Sequence, residues 1–159
     1  MTTDIRPATP DEVATILGFV REMAAFEREP DAVAATEPML AEALFGADPV
    51  AEAVIAERGG VPVGFALFFR NFSTWTGRPG LYLEDLYVTP FARGGGVGKA
   101  LLIHLAGIAR DRGWARFEWS VLDWNTPAVE FYRAMGARGM EEWTVQRVSG
   151  EALEKLAGR

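Results

Sequence analysis

Arg93-Gly94-Gly95-Gly96-Val97-Gly98-Lys99-Ala100 is the stretch on which the fold turns. It lies between an apolar β-like run that stops before Pro90 and a segment, Gly96 to Arg112, whose Val97, Leu101, Leu102, Leu105 and Ile108 recur at helical spacing with Gly113 as a stop. Glycines let a backbone turn tightly and bring its N–H groups close to a ligand, while a helix N-terminus offers unpaired donors and the positive end of a dipole. The segment has the chemistry of a diphosphate cradle. The other reading is a tight strand-to-helix turn with no ligand. Spacing narrows the ligand: a Walker loop counted back from Gly98-Lys99 needs glycine where Arg93 stands and Ser or Thr where Ala100 stands. A dinucleotide loop counted from Gly94 and Gly96 needs Gly or Ala where Lys99 stands. Neither pattern fits.

Before this turn, Asp4 to Pro7 reads as a short strand, and Thr9-Pro10-Asp11-Glu12 as a capping box opening a helix that runs to about Phe26. A shorter helix covers Pro38 to Phe45, stopped by Gly46. Ala53–Glu57 and Val63–Arg70 are β-like runs split by the hairpin signal Gly59-Gly60. Asn71 to Gly80 reads as a loop and Leu81 to Val88 as a strand. After the glycine turn and its helix, Arg116 to Leu122 reads as a strand, Thr126-Pro127 starts a helix closed by Gly136, Trp143 to Val148 reads as a last strand, and Glu151 to Leu156 as a terminal helical turn. This is a mixed α/β layer structure with a βαβα unit in its second half.

With 159 residues the chain is the size of one domain, expected over residues 1–159. There are no cysteines, which excludes disulfides, thiolate metal sites and thiol catalysis, and one histidine, His104, leaves no basis for a His-ligated metal. We expect no metal. No apolar run approaches the ~18 residues of a membrane span and the N-terminus lacks a signal-peptide layout, so a cytoplasmic protein without membrane partners is expected. The net charge is −6, but residues 1–60 hold four basic and twelve acidic residues, whereas Arg93 to Arg116 holds five basic residues against Asp111. The two regions suit ligands of opposite charge. A pI of about 4.9 argues against nucleic acid.

Arg93-x-x-Gly96-x-Gly98 resembles the coenzyme A loop of the GNAT N-acetyltransferase superfamily, whose pattern is Gln/Arg-x-x-Gly-x-Gly/Ala. Ile5-Arg6-Pro7-Ala8-Thr9, Phe72 to Arg78, Tyr82-Leu83-Glu84-Asp85-Leu86-Tyr87-Val88, Val121-Leu122-Asp123-Trp124-Asn125 and Phe131 to Ala137 extend the likeness over nearly the whole chain. They are similar to the diamine (spermidine/spermine) and thialysine acetyltransferase branch. The resemblance implies a mixed, mostly antiparallel sheet of six or seven strands flanked by four or five helices. Two central parallel strands, Leu81–Val88 and Arg116–Leu122, would splay into a V that takes the pantetheine arm of acetyl-CoA. It implies cofactor contacts from Leu86, Tyr87 and Val88, from Arg93, Gly94, Gly95, Gly96, Val97, Gly98 and Lys99, and from Asn125 and Ala128. It also implies a homodimer.

Acetylating an amine raises a protonation problem: an alkylamine of pKa ~10.4 is neutral about once in 2,500 molecules at pH 7, a cost of about 4.6 kcal/mol. Glu84 is the candidate base, since strand alternation sets it on one face with Leu86 and Val88, and the proton can pass through water. A surface or interface charge is the other reading of Glu84 and Asp85. Tyr132, at the family's Phe-Tyr position, is the candidate acid for the leaving thiolate; taken alone, it would read as packing. Without a cysteine or a Gly-x-Ser-x-Gly elbow, attack is expected to be direct, with both substrates bound. By resemblance Phe26, Glu27, Ser73, Glu84, Glu118 and Ser120 fall where that branch binds its cationic acceptor. Ser73 stands where the polyamine enzymes often carry an acid, which weakens the case for long polyamines. Two other functions remain open: acetylation of a protein lysine or N-terminus, and a non-catalytic acyl-CoA-binding regulatory module.

Overall fold

The structure is a computed structural model that describes residues 2–158. It divides into two compact units, one reaching Ser120 and one starting at Val121.

The first unit is built on a five-stranded sheet in the order β1-β2-β3-β4-β5, with β1 Asp4–Pro7, β2 Glu52–Arg58, β3 Val61–Ser73, β4 Arg78–Val88 and β5 Phe117–Glu118. The first four strands pair antiparallel and β5 joins β4 in parallel. A mixed sheet of this kind agrees with the α/β class expected, but not with six or seven strands. Two expected strands change, and the loss of the second lowers the count. Arg116–Leu122 shrinks to the two residues of β5, and Trp143–Val148 forms no strand, so β5 is the sheet edge rather than a central strand. The expected loop Asn71–Gly80 is also mostly strand, because β3 and β4 continue pairing out to Ser73 and Arg78. A period-two pattern cannot reveal this, since the outer residues of a hairpin stand in solvent on both faces.

Three helices flank the sheet: α1 Val13–Phe26, α2 Glu37–Phe45 and α3 Val97–Asp111. The capping box is present at Thr9, where Glu12 Oε1 accepts from the Thr9 amide at 2.9 Å, but its first turn is a 3-10 turn over Pro10–Glu12. Glu12 also takes both guanidinium nitrogens of Arg6 at 2.8 Å, and Arg6 reaches Glu57 at 3.1 Å, so one cation joins β1, the helix start and β2. One face of the sheet buries Ile55, Phe65, Leu67 and Tyr87 under Ile16, Phe19 and Leu44 of α1 and α2, with the Phe19 ring 5.7 Å from both Phe65 and Tyr87. Each such side chain removed from water contributes roughly 1.5–3 kcal/mol. Val97, Leu101, Leu102 and Leu105 of α3 are buried as the spacing predicts. Arg112, just past α3, forks onto Glu52 of β2 at 2.6 and 2.8 Å while lying 4.9 Å over the Trp114 ring, tying the helix end to the sheet.

The second unit holds α4 Thr126–Ala134 and α5 Gly150–Leu156. Asn125 caps α4, accepting from the Ala128 amide at 3.4 Å, and Gly136 follows its end with φ 96°.

Candidate active site

Two irregularities of β4 create the opening in the first unit. Phe69, Phe68 and Arg70 of β3 face Tyr82, Leu83 and Leu81, but Leu67 faces Asp85, so Glu84 is an extra residue without a partner. This bulge slips the register by one, so Leu81 and Leu83 share a face with Leu86 and Val88, while Asp85 and Tyr87 join the face that packs under α1. On the other side β5 pairs only at Leu81 and Tyr82. Among the described residues no strand covers that edge from Leu83 to Val88, and β4 and β5 part where the V was expected.

Glu84 is exposed and Asp85 half-buried. Burial first, then the charges of Glu84 and Glu27, push the Asp85 carboxyl up to about 7. Partial desolvation also raises Glu27, at the C-terminal end of α1, where Arg28 takes a left-handed conformation (φ 67°) and turns the chain. Phe26 belongs to the same group. The Arg93 guanidinium lies 5.7 Å from its ring and 5.4 Å from that of Tyr87, and its Nε donates to the Val88 carbonyl at 2.9 Å. Arg93 thus fastens the glycine turn to the end of β4 and α1. Burial and the nearby Glu22 carboxylate raise the Tyr87 hydroxyl, which keeps it protonated.

Glu118 and Ser120 gather around Tyr82 instead. Ser120 Oγ lies 3.0 Å from the Tyr82 hydroxyl, and Glu118 accepts from Asn71 Nδ2 at 3.5 Å. Ser73 stands apart: its partner Arg78 is six steps along β4 from Glu84, roughly 20 Å of strand. Its Oγ accepts from the amides of Trp75 and Thr76 and closes the hairpin turn. Asn125, Ala128 and Tyr132 belong to α4 and its cap in the second unit, where the Phe131 and Tyr132 rings are 5.5 Å apart.

The glycine turn suits a diphosphate. Gly94 and Gly96 have φ of 81° and 82°, a region that L side chains avoid, and nothing lies within 4 Å where a Cβ would stand on either. Gly96 is the N-cap of α3, so the free N–H groups of Val97, Gly98 and Lys99 open the helix without a side-chain cap. At Gly98 a methyl would meet only Val88 Cγ2, at 3.9 Å. The Gly/Ala freedom at that place in the family pattern has this physical basis. Together with the edge of β4 that no described strand pairs, the turn presents donors to phosphate and a strand edge to amide groups, which fits acetyl-CoA. Among the described residues no cluster of three or more acidic or histidine side chains is placed to hold a metal ion, and no helix is long and apolar enough to cross a membrane.

The missed feature is the bulge, and with it Asp85. Its only trace in the sequence is Glu84-Asp85 interrupting an apolar run, which a surface charge explains equally well.

A sheet opened beside a strand that runs into a helix-capping glycine turn defines an α/β protein with an anion-binding turn next to an unpaired strand edge. Residues 18–137 match the model of the acetyltransferase (GNAT) family. A thialysine N-epsilon-acetyltransferase from Sus scrofa is 39% identical over 166 residues, covering 98% of this chain and 97% of that protein. An L-ornithine N5-acetyltransferase from Arabidopsis thaliana is 31% identical, covering 98% and 88%. An integron cassette protein from the mobile metagenome of V. cholerae shares the fold with a TM-score of 0.83 at 28% identity, covering 100% of this chain and 99% of that one. The chain belongs to the GNAT family and is an acetyl-CoA-dependent N-acetyltransferase.

Proposed function

We propose that the acceptor is a small cationic primary amine, thialysine- or lysine-like or a diamine, attacked directly while acetyl-CoA is bound. The observation that carries this reading is the acidic group at the bulge, where Asp85 titrates near 7 between Glu84 and Glu27. These carboxylates favour an ammonium, and a group titrating near neutrality can hold the proton that the amine must lose. Glu84 takes that proton through water and passes it to Asp85 beside it. Tyr132 supplies a proton to the departing sulfur. Glu27 and Phe26 bound the acceptor on one side, Glu118 and Ser120 on the other. The relatives named for thialysine and L-ornithine support an acceptor that is a short amino acid with a side-chain amine.

Gly94 to Lys99 hold the diphosphate, the backbone of Leu86 and Val88 meets the pantetheine arm, and Asn125 and Ala128 add contacts from α4. The reading treats residues 1–159 as one catalytic domain, since the family match runs across the division at residues 120–121, and places the protein as a homodimer in the cytoplasm.

Free-thiol release from acetyl-CoA with a panel of thialysine, lysine, ornithine, diamines, spermidine and a lysine peptide tests this. Turnover is expected on the short amines, with Glu27→Gln raising KM for cationic acceptors alone. Turnover confined to the peptide would move the assignment to protein acetylation. Stabilisation by coenzyme A with no turnover would leave a regulatory binding module.

A further inference from the structure

We propose that Arg58 is a positioning residue for acetyl-CoA, whose guanidinium holds the glycine turn in the shape that receives the diphosphate. The proposal rests on the reading of that turn as a diphosphate cradle. Arg58 ends β2, 37 residues before Gly95, yet its Nη2 donates to the Gly95 carbonyl at 2.6 Å. Its Nε donates to the Thr3 hydroxyl at 3.0 Å. One planar cation therefore spans the start of the chain and the turn, using separate donors of a rigid fork.

The consequence for the ligand follows from peptide geometry. In a trans peptide the carbonyl of one residue and the N–H of the next point in opposite directions. Fixing the Gly95 carbonyl on Arg58 therefore turns the Gly96 N–H away from Arg58, and Gly96 is the cap from which α3 begins. Gly95 itself carries the same signature. Unlike Gly94 and Gly96 it is not in the left-handed region, so its backbone would accept a side chain. A Cβ on Gly95 would stand 2.7 Å from Nη2 and 2.8 Å from Nη1 of Arg58, so a side chain there would displace the guanidinium from the Gly95 carbonyl. Three adjacent glycines thus serve two ends: the outer two allow the turn's torsions, and the middle one leaves room for the arginine that holds it. The guanidinium also adds a fixed positive charge beside the turn.

The test measures coenzyme A binding by calorimetry, and steady-state kinetics, on the full chain and on Arg58→Ala, Arg58→Lys, Gly95→Ala and the Arg58→Ala/Gly95→Ala pair. Losing one charge-assisted contact that orients the turn should raise Kd for coenzyme A and KM for acetyl-CoA about tenfold. kcat and the amine KM at saturating acetyl-CoA should stay within about twofold. Gly95→Ala should reproduce the loss of coenzyme A affinity by pushing the guanidinium away, and the double variant should be no worse than either single one, because both remove the same contact. Arg58→Lys keeps the charge but cannot span both partners, so it should recover less than half of the lost affinity. Full recovery by lysine, additive effects in the double variant, or an unchanged Kd in Arg58→Ala would each overturn the proposal while the cradle stands. A thermal midpoint lowered in Arg58→Ala without any change in Kd would do the same. No binding of coenzyme A by the unaltered protein would overturn the cradle itself.

Discussion

Leu67 faces Asp85 across the β3–β4 ladder, although the pairing of Phe68 with Leu83 one step earlier would bring it opposite Glu84. This single slip decides which carboxyl is shielded and which stays in water. The shielded one is pushed up to about 7 because burial penalises its charge and two carboxylates repel it.

The pH dependence of acetylation follows. Asp85 is protonated below about 7 and ionised above, so kcat/KM should rise with pH through that midpoint. Glu27→Gln and Glu84→Gln each remove a negative charge that raises Asp85, and each should move the midpoint to lower pH. Glu84→Gln should also depress turnover most near neutrality and recover at alkaline pH, where more amine is already neutral. A pH–rate profile that keeps its midpoint in both variants would detach the limb from Asp85.

Tyr132→Phe should slow the chemical step by about 10²-fold while leaving coenzyme A affinity unchanged, since only the proton donor is removed. Single-turnover kinetics reads the step directly, and an unaltered rate would return Tyr132 to a packing role beside Phe131.

Two neighbouring glycines should respond differently to the same methyl group. Gly96→Ala places alanine at φ 82°, a strain of about 1–2 kcal/mol, and should distort the turn and weaken coenzyme A binding about tenfold. Gly98→Ala meets only Val88 Cγ2 at 3.9 Å and should bind as the parent does. Equal losses in both would mean that bulk, not torsion, governs this turn.

Stability should show an acid limb owing to Glu12. The Arg6 guanidinium, more than the bonds from Thr9, holds the Glu12 carboxyl down at about 2 against its ordinary 4.5. A folded-state value below the unfolded one stabilises the protein above about 4.5, and that contribution disappears as pH falls through about 2. Arg6→Ala should cost about 1–2 kcal/mol at neutral pH, discounted for the partial exposure of the arginine, and almost nothing near pH 2. Urea unfolding at the two pH values measures the difference.

Several elements were legible residue by residue. The capping box at Thr9, the apolar stripe of α3 and the glycines flanking Gly95 act within one turn of chain, so their chemistry can be read where it stands. Trp143–Val148 shows the opposite case. Its alternation suits a strand, but a strand forms only against a neighbour's backbone, and pairing cannot be seen in one segment alone.

The order of amino acids by itself determined the α/β class, the glycine turn that opens α3 and the likeness that names the reaction, because torsional preference, helix capping and side-chain type are properties of short stretches. Tertiary structure alone decided that the ladder skips at Glu84, that Asp85 rather than its neighbour is shielded beside Glu27, and that Arg58 lies against Gly95. Each of these depends on groups tens of residues apart in the chain, and hydrogen-bond register, desolvation and charge repulsion exist only once folding has brought such groups within a few ångströms of one another.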